Sequence, residues 1–168
     1  MIWNETKECM SRDEMTNLQS ARLRKLVDRV YHSVEYYRKK MQAVGLEPGD
    51  IRGIEDLEKL PFTTKDDLRD TYPFGMFAVP NSQIPRIHAS SGTTGKATVV
   101  GYTRKAIDVW SECVARCITM AGLGSNDIIQ VAYGYGLFTG GLGAHYGAEE
   151  MGATVVSMYT GNTKKLIT

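Results

Sequence analysis

The sequence predicts an α/β fold: a parallel strand–helix–strand unit, a hairpin carrying a phosphate-binding loop, and a helical region ahead of both. Three observations lead there. Apolar runs at 128–133 and 153–158 flank a small-residue helical segment at 141–151, the spacing of a parallel unit with a right-handed crossover. Between two short β-rich runs lies Ser90-Ser91-Gly92-Thr93-Thr94-Gly95-Lys96, small, hydroxylated or glycine throughout until its final lysine. Upstream, apolar residues recur at helical steps.

The first element is predicted as one long helix over 13–44. Leu23, Leu26, Val27, Val30, Val34, Tyr37, Met41 and Val44 form its stripe, and Gly45 is its stop. Arg22, Arg24, Lys25, Arg29, Arg38, Lys39 and Lys40 make the outside basic, a solvated face given the acidic residues nearby. The turn-rich stretch 46–80 holds a short helix at 54–60, ended by Pro61, and another opened by Thr64 with Asp67 at capping-box spacing. Arg86-Ile87-His88-Ala89 and Thr98-Val99-Val100-Gly101-Tyr102 are the two strands about the loop. A helix follows over 104–121, with Thr103 as N-cap, Gly122 as stop and a stripe of Ile107, Trp110, Val114, Cys117, Ile118 and Ala121. The apolar run at 128–133 suits an interior strand. Residues 1–80 thus read as a helical region packed on a domain whose α/β core begins in 81–168.

Composition sets the limits. With 168 residues the chain buries one core. A net charge of +1 gives no reason to expect nucleic acid or an anionic membrane as partner. No apolar run approaches the ~20 residues that span a bilayer, and the N-terminus lacks the regions of a signal peptide; the cytoplasm is the expected location. Three cysteines cannot all pair, and Cys113 and Cys117 sit four apart on one helix face. A metal-pair or redox role is conceivable there, but buried structural thiols are expected. His32, His88 and His145 are scattered and read as structural or solvated, so no metal site is expected.

The loop at 90–96 carries the chemistry. Its glycines let the backbone approach a ligand, its successive N–H groups make an anion-binding concavity, and Lys96 adds a compact charge suited to phosphate. It departs from the ordinary P-loop, whose first glycine would fall at Ser90 and whose metal-binding hydroxyl would fall at Ala97. The other reading is a surface turn that binds nothing. A second glycine-rich stretch, Gly134-Tyr135-Gly136-Leu137-Phe138-Thr139-Gly140-Gly141, lies at the carboxyl end of a strand, where open α/β sheets bind ligands. As a dinucleotide fingerprint it is mis-spaced, and the second strand ends without the acid that would hold ribose. Its interleaved aromatics suit a flat apolar ring, although Tyr133 and Phe138 could equally fill a core.

Ser90 to Thr98 resembles the phosphate loop of adenylate-forming enzymes, with Ala97 where that family has proline. Leu60-Pro61-Phe62-Thr63-Thr64-Lys65-Asp66-Asp67-Leu68-Arg69, Tyr72-Pro73-Phe74-Gly75, His88 to Lys96 and Tyr133 to Gly141 together resemble phenylacetate–coenzyme A ligases. The resemblance implies the N-terminal part of the large domain of such an enzyme. It implies ATP, magnesium and coenzyme A, a small aromatic carboxylic acid as substrate, an acyl-adenylate intermediate, and a homodimer. Ser90, Ser91, Gly92, Thr93, Thr94, Gly95 and Lys96 would bind the ATP phosphates. Tyr133, Tyr135, Gly136, Phe138 and Ala144 would line the aryl-acid pocket. No residue here matches that family's adenine-stacking motif, ribose-binding aspartate or catalytic lysine, so no catalytic residue is expected in the chain. A fragment inactive by itself is implied, Asn162 to Thr168 reading as a capped helix cut off after its first turns. A stand-alone nucleotide-binding module and a dinucleotide-dependent oxidoreductase domain are the competing readings.

Overall fold

A computed structural model describes residues 1–90, 97–137 and 139–158. Six α-helices are found among them: α1 (Glu5–Glu8), α2 (Arg12–Ser33), α3 (Glu35–Ala43), α4 (Lys65–Asp70), α5 (Arg104–Met120) and α6 (Gly140–Glu150). Four strands accompany them: β1 (Arg86–Ala89), β2 (Val99–Tyr102), β3 (Ile128–Val131) and β4 (Thr154–Ser157). β1 pairs with β2, and β3 pairs with β4 in parallel, Ile128 opposite Thr154 and Val131 opposite Ser157. The predicted α/β class, with its parallel unit, is therefore what the chain adopts. The chain divides into two compact units, Cys9–Ser82 with Gly92–Val99, and Met1–Glu8 with Gln83–Ser91 and Val100–Thr168.

The first unit is built on large aliphatic side chains. Ser11 opens α2 through a reciprocal capping box with Glu14. Leu23, Val27 and Tyr31 of α2 then pack with Met41 and Ile51, each burial contributing roughly 1.5–3 kcal/mol. The single helix expected over 13–44 is in fact two. Val34, 1% exposed, takes an extended conformation (φ −123°, ψ 105°) between α2 and α3. His32 and Ser33 are weak helix formers and Val34 is β-branched, so this is where the helix is cheapest to interrupt. The Arg38 guanidinium donates to the carbonyls of Tyr31 and His32, groups a helix end leaves unpartnered. Gly45, with φ of 72°, then stops α3 as expected.

Residues Ile54–Lys59 form a 3₁₀ helix rather than an α-helix. Thr64 caps α4 with Asp67 in the predicted reciprocal arrangement. The Thr64 N–H and Lys40 Nζ, the latter at 2.9 Å, hold the Asp67 carboxyl well below the usual carboxylate range.

The second unit contains α5, α6 and both sheets. Thr103 Oγ1 accepts from the Ala106 N–H and opens α5; Gly122, at φ 101°, follows its end. The buried face of α5 is not the stripe read from hydrophobicity. Ile107, Ser111, Ala115 and Thr119 are buried, a line of mostly small residues rotated from the expected one. The cause is α6. A Cβ on Gly143 would stand 2.5 Å from the Trp110 ring, and one on Gly147 would stand 2.5 Å from Val114 Cβ. Glycine on α6 makes room for Trp110 and Val114, so the two helices approach closely, and the small Ser111, Ala115 and Thr119 of α5 are buried.

Two further expectations are corrected. Cys113 and Cys117 are exposed, as is Cys9, because the rotation of α5 turns its cysteine face outward. β3 is not interior here: Ile128 is 72% exposed and only Val131 is buried, since within the described residues β3 is flanked by β4 alone. No helix among the described residues is long and apolar enough to cross a membrane.

Candidate functional site

The phosphate loop begins where β1 ends. Ser90, exposed, is its first residue; Ser91, Gly92, Thr93, Thr94, Gly95 and Lys96 lie outside the described residues, as does Phe138. What surrounds the start of the loop is well defined. His88 of β1 is 2% exposed and packs edge-on against Tyr102, at 5.5 Å between ring centroids, and against Trp110, at 5.7 Å. Tyr102 and Trp110 are themselves stacked at 5.2 Å.

The Leu137 carbonyl joins β1 to the glycine–aromatic segment. It accepts from the Ala89 N–H at 3.0 Å and from His88 Nδ1 at 2.8 Å. A carbonyl can only accept, so the His88 proton sits on Nδ1. Nε2 is buried with no hydrogen-bond partner. Phosphate-loop strand and candidate substrate segment are therefore hydrogen-bonded neighbours, through a histidine that reads from sequence as structural or solvated. The aromatic spacing of Tyr102 and Trp110 relative to His88 is not a recognisable sequence pattern; only the strand pairing and α5 bring the rings together.

The segment after β3 folds onto α6. Gly141 is tight because a Cβ there would meet the Gly134 carbonyl oxygen at 2.7 Å. Tyr135 lies edge-on to His145 at 5.7 Å, and its hydroxyl is 3.2 Å from His145 Nδ1. The Ser157 hydroxyl, at the end of β4, stands at the same distance from that nitrogen. His145 Nε2 faces Glu149 Oε1 at 3.1 Å and donates to that carboxylate. Loop, helix and strand thus converge on His145, whose spacing of four residues from Glu149 was the one sequence signal available for it. Ala144 precedes His145 on α6 and is half-buried; Tyr133 is exposed at the end of β3, and Gly136 is exposed beside it. The structure brings Tyr135 to the helix that carries Ala144.

Next to His145 on α6, the Tyr146 ring centroid lies 4.5 Å from the Arg86 guanidinium, a cation–π contact. In the first unit a separate apolar cleft of about 430 Å³ is walled by Leu23, Leu26, Val30, Leu57 and Phe62, and no sequence-predicted site residue lines it. Among the described residues no three His, Cys, Asp or Glu side chains converge.

The fold recurs in solved acyl-CoA ligases. Crystal structures of 2-hydroxyisobutyryl-CoA ligase superpose with a TM-score of 0.85 at 29% identity, in the postadenylation state with 2-HIB-AMP, over 95% of this chain and 34% of that one. Another, with 2-HIB-AMP and CoA in the thioesterification state, gives 0.86 at 31% identity. The fold is that of the adenylate-forming CoA ligases. No protein-family model matches the chain. Within the class it is 56% identical to phenylacetate-coenzyme A ligase of Aromatoleum evansii over 163 residues, 58% identical to that of Escherichia coli strain K12 over 158, and 49% identical to that of Thermus thermophilus over 167. Over the length it covers, the chain belongs to the phenylacetate–CoA ligase family. It spans 37%, 36% and 38% of those relatives' own lengths.

Proposed function

We propose that this chain belongs to an enzyme that joins an aryl acid, phenylacetate first among them, to coenzyme A at the expense of ATP. The carboxylate attacks the α-phosphate to give an acyl-adenylate and diphosphate, and the CoA thiolate then displaces AMP. The observation that carries the reading is the 49–58% identity to phenylacetate–CoA ligases across 94–99% of the chain. The named relatives and neighbours are ligases, which favours this reading over a nucleotide-binding module or an oxidoreductase domain.

Ser90, Ser91, Gly92, Thr93, Thr94, Gly95 and Lys96 hold the β- and γ-phosphates in this proposal, stabilising charge on the departing diphosphate and aligning the α-phosphate for attack. Tyr133, Tyr135, Gly136, Phe138 and Ala144 line the aryl pocket. Tyr135 is fixed by His145, and the small Ala144 leaves room for the ring. Magnesium arrives on the ATP phosphates, and no residue of this chain is assigned to it. A cytoplasmic homodimer and a boundary near residue 80 belong to the same proposal.

The test uses the complete enzyme. Lys96→Ala is expected to lower ATP–diphosphate exchange by roughly 10²–10³-fold, the effect of removing one transition-state donor. Phenylacetate affinity by calorimetry should stay within a few-fold. Equal loss of both would make the loop merely structural. Ala144→Phe should reverse the pattern, removing phenylacetate binding while leaving ATP binding in place.

A further inference from the structure

The geometry points to a cuprous-ion site on the outer face of α5. Cys113 and Cys117 are both exposed and line one pocket of about 440 Å³. The thioether side chains of Met1 and Met120 line the same pocket, so four of its seven lining residues carry sulfur. Met1 and Met120 are 71% and 72% exposed, so their thioethers are accessible to an incoming ion. The catalytic reading above uses none of these residues.

Thiolate and thioether donors together select a soft monovalent ion. Cu(I) accepts both, whereas structural zinc takes four thiolate, imidazole or carboxylate donors and this pocket offers two thiols. The helix sets the spacing. Residues four apart have Cβ atoms about 5–6 Å apart, beyond the ~3.5–4.5 Å of a disulfide. While α5 is helical the two thiols therefore do not close a disulfide with each other. Metal–sulfur bonds of about 2.3 Å span sulfurs up to ~4.6 Å apart, a gap these two side chains can close by rotation.

Arg116 lines the pocket as well, its guanidinium hydrogen-bonded to Glu112 and 3.9 Å from Glu8, whose carboxylate is also on the rim. It sets a fixed cation beside the anion that forms. Binding balances without redox change: one Cu⁺ and two thiols give a dithiolate–copper anion and two released protons. The thioethers of Met1 and Met120 complete the shell as neutral donors.

The full-length protein, reduced and anaerobic, is titrated with cuprous ion in competition with the chromophoric chelator bathocuproine disulfonate. A single cuprous ion should be withheld from the chelator by the unaltered protein and by Cys9→Ser, since Cys9 does not line this pocket. Cys113→Ser and Cys117→Ser should each weaken binding by about 100-fold or more, the loss expected when chelation gives way to a single thiolate. Met120→Leu should weaken it several-fold, and excess zinc should leave the titration unmoved. Circular dichroism establishes that the serine variants fold, which exposure of both thiols favours. The proposal is overturned if the unaltered protein yields all its copper to the chelator, if the Cys113→Ser/Cys117→Ser double variant keeps it, or if zinc displaces it.

Discussion

The two units solve the same packing problem with opposite materials. Around α2 and α3, the core is made of Leu23, Val27, Tyr31, Met41 and Ile51, bulky side chains whose burial supplies the stabilisation. Between α5 and α6 the contact is made by Gly143 and Gly147 against Trp110, Val114 and Ala115. One interface is held by the volume it encloses, the other by the closeness it permits. They should therefore fail in opposite directions: the first when a side chain is cut, the second when one is added.

Leu23→Ala is expected to show the largest effect, about 2–5 kcal/mol lost in urea unfolding, because it leaves a cavity where neighbours relax only partly. Gly143→Ala comes next, at about 1–3 kcal/mol, although alanine is the better helix former. If Gly143→Ala proved stabilising, the closeness of α5 and α6 would not be what the glycine provides, and the contrast would collapse.

The smallest effect sharpens the picture at the edge of α5. Glu112 accepts from Lys7 and Arg116, which hold its carboxyl down to about 2 from an ordinary 4.5. A depressed carboxylate contributes stability above its unfolded pKa and loses it as pH falls through the folded one. Acid titration of stability should thus show this contribution intact above pH 4.5 and gone near pH 2. Lys7→Met should remove part of it, roughly 0.2–1 kcal/mol at neutral pH given the exposure of Lys7. A variant that leaves the acid limb unmoved would place the control of Glu112 with Arg116 alone.

The same contrast explains what the sequence made legible. Where cores are built from large side chains, periodicity finds them: Leu23, Val27 and Met41 belong both to the expected stripe and to the observed core. The capping of α4 by Thr64 and the stops at Gly45 and Gly122 are local chemistry, and local chemistry is written in neighbouring residues. Where packing depends on smallness, hydrophobicity points to the wrong face. Trp110, Val114 and Cys117 outrank Ser111, Ala115 and Thr119 on any apolar scale, yet the latter three are buried. That rotation is also why the cysteines were misplaced. The break at Val34 escaped because the stripe continues across it; the guanidinium of Arg38 that satisfies the helix end comes from beyond the break.

For the candidate site, motif chemistry marked the loop and the glycine–aromatic segment, but not what joins them. His88 and His145 draw their surroundings from residues 49 and 12 positions away respectively, contacts no local pattern encodes.

The bond at Leu137 has an evolutionary consequence. The group that both Ala89 and His88 grasp belongs to the main chain, while the Leu137 side chain is 64% exposed. Any residue can occupy position 137 without unfastening the clasp. A lineage could therefore vary this corner, substitution by substitution, while β1 kept its moorings.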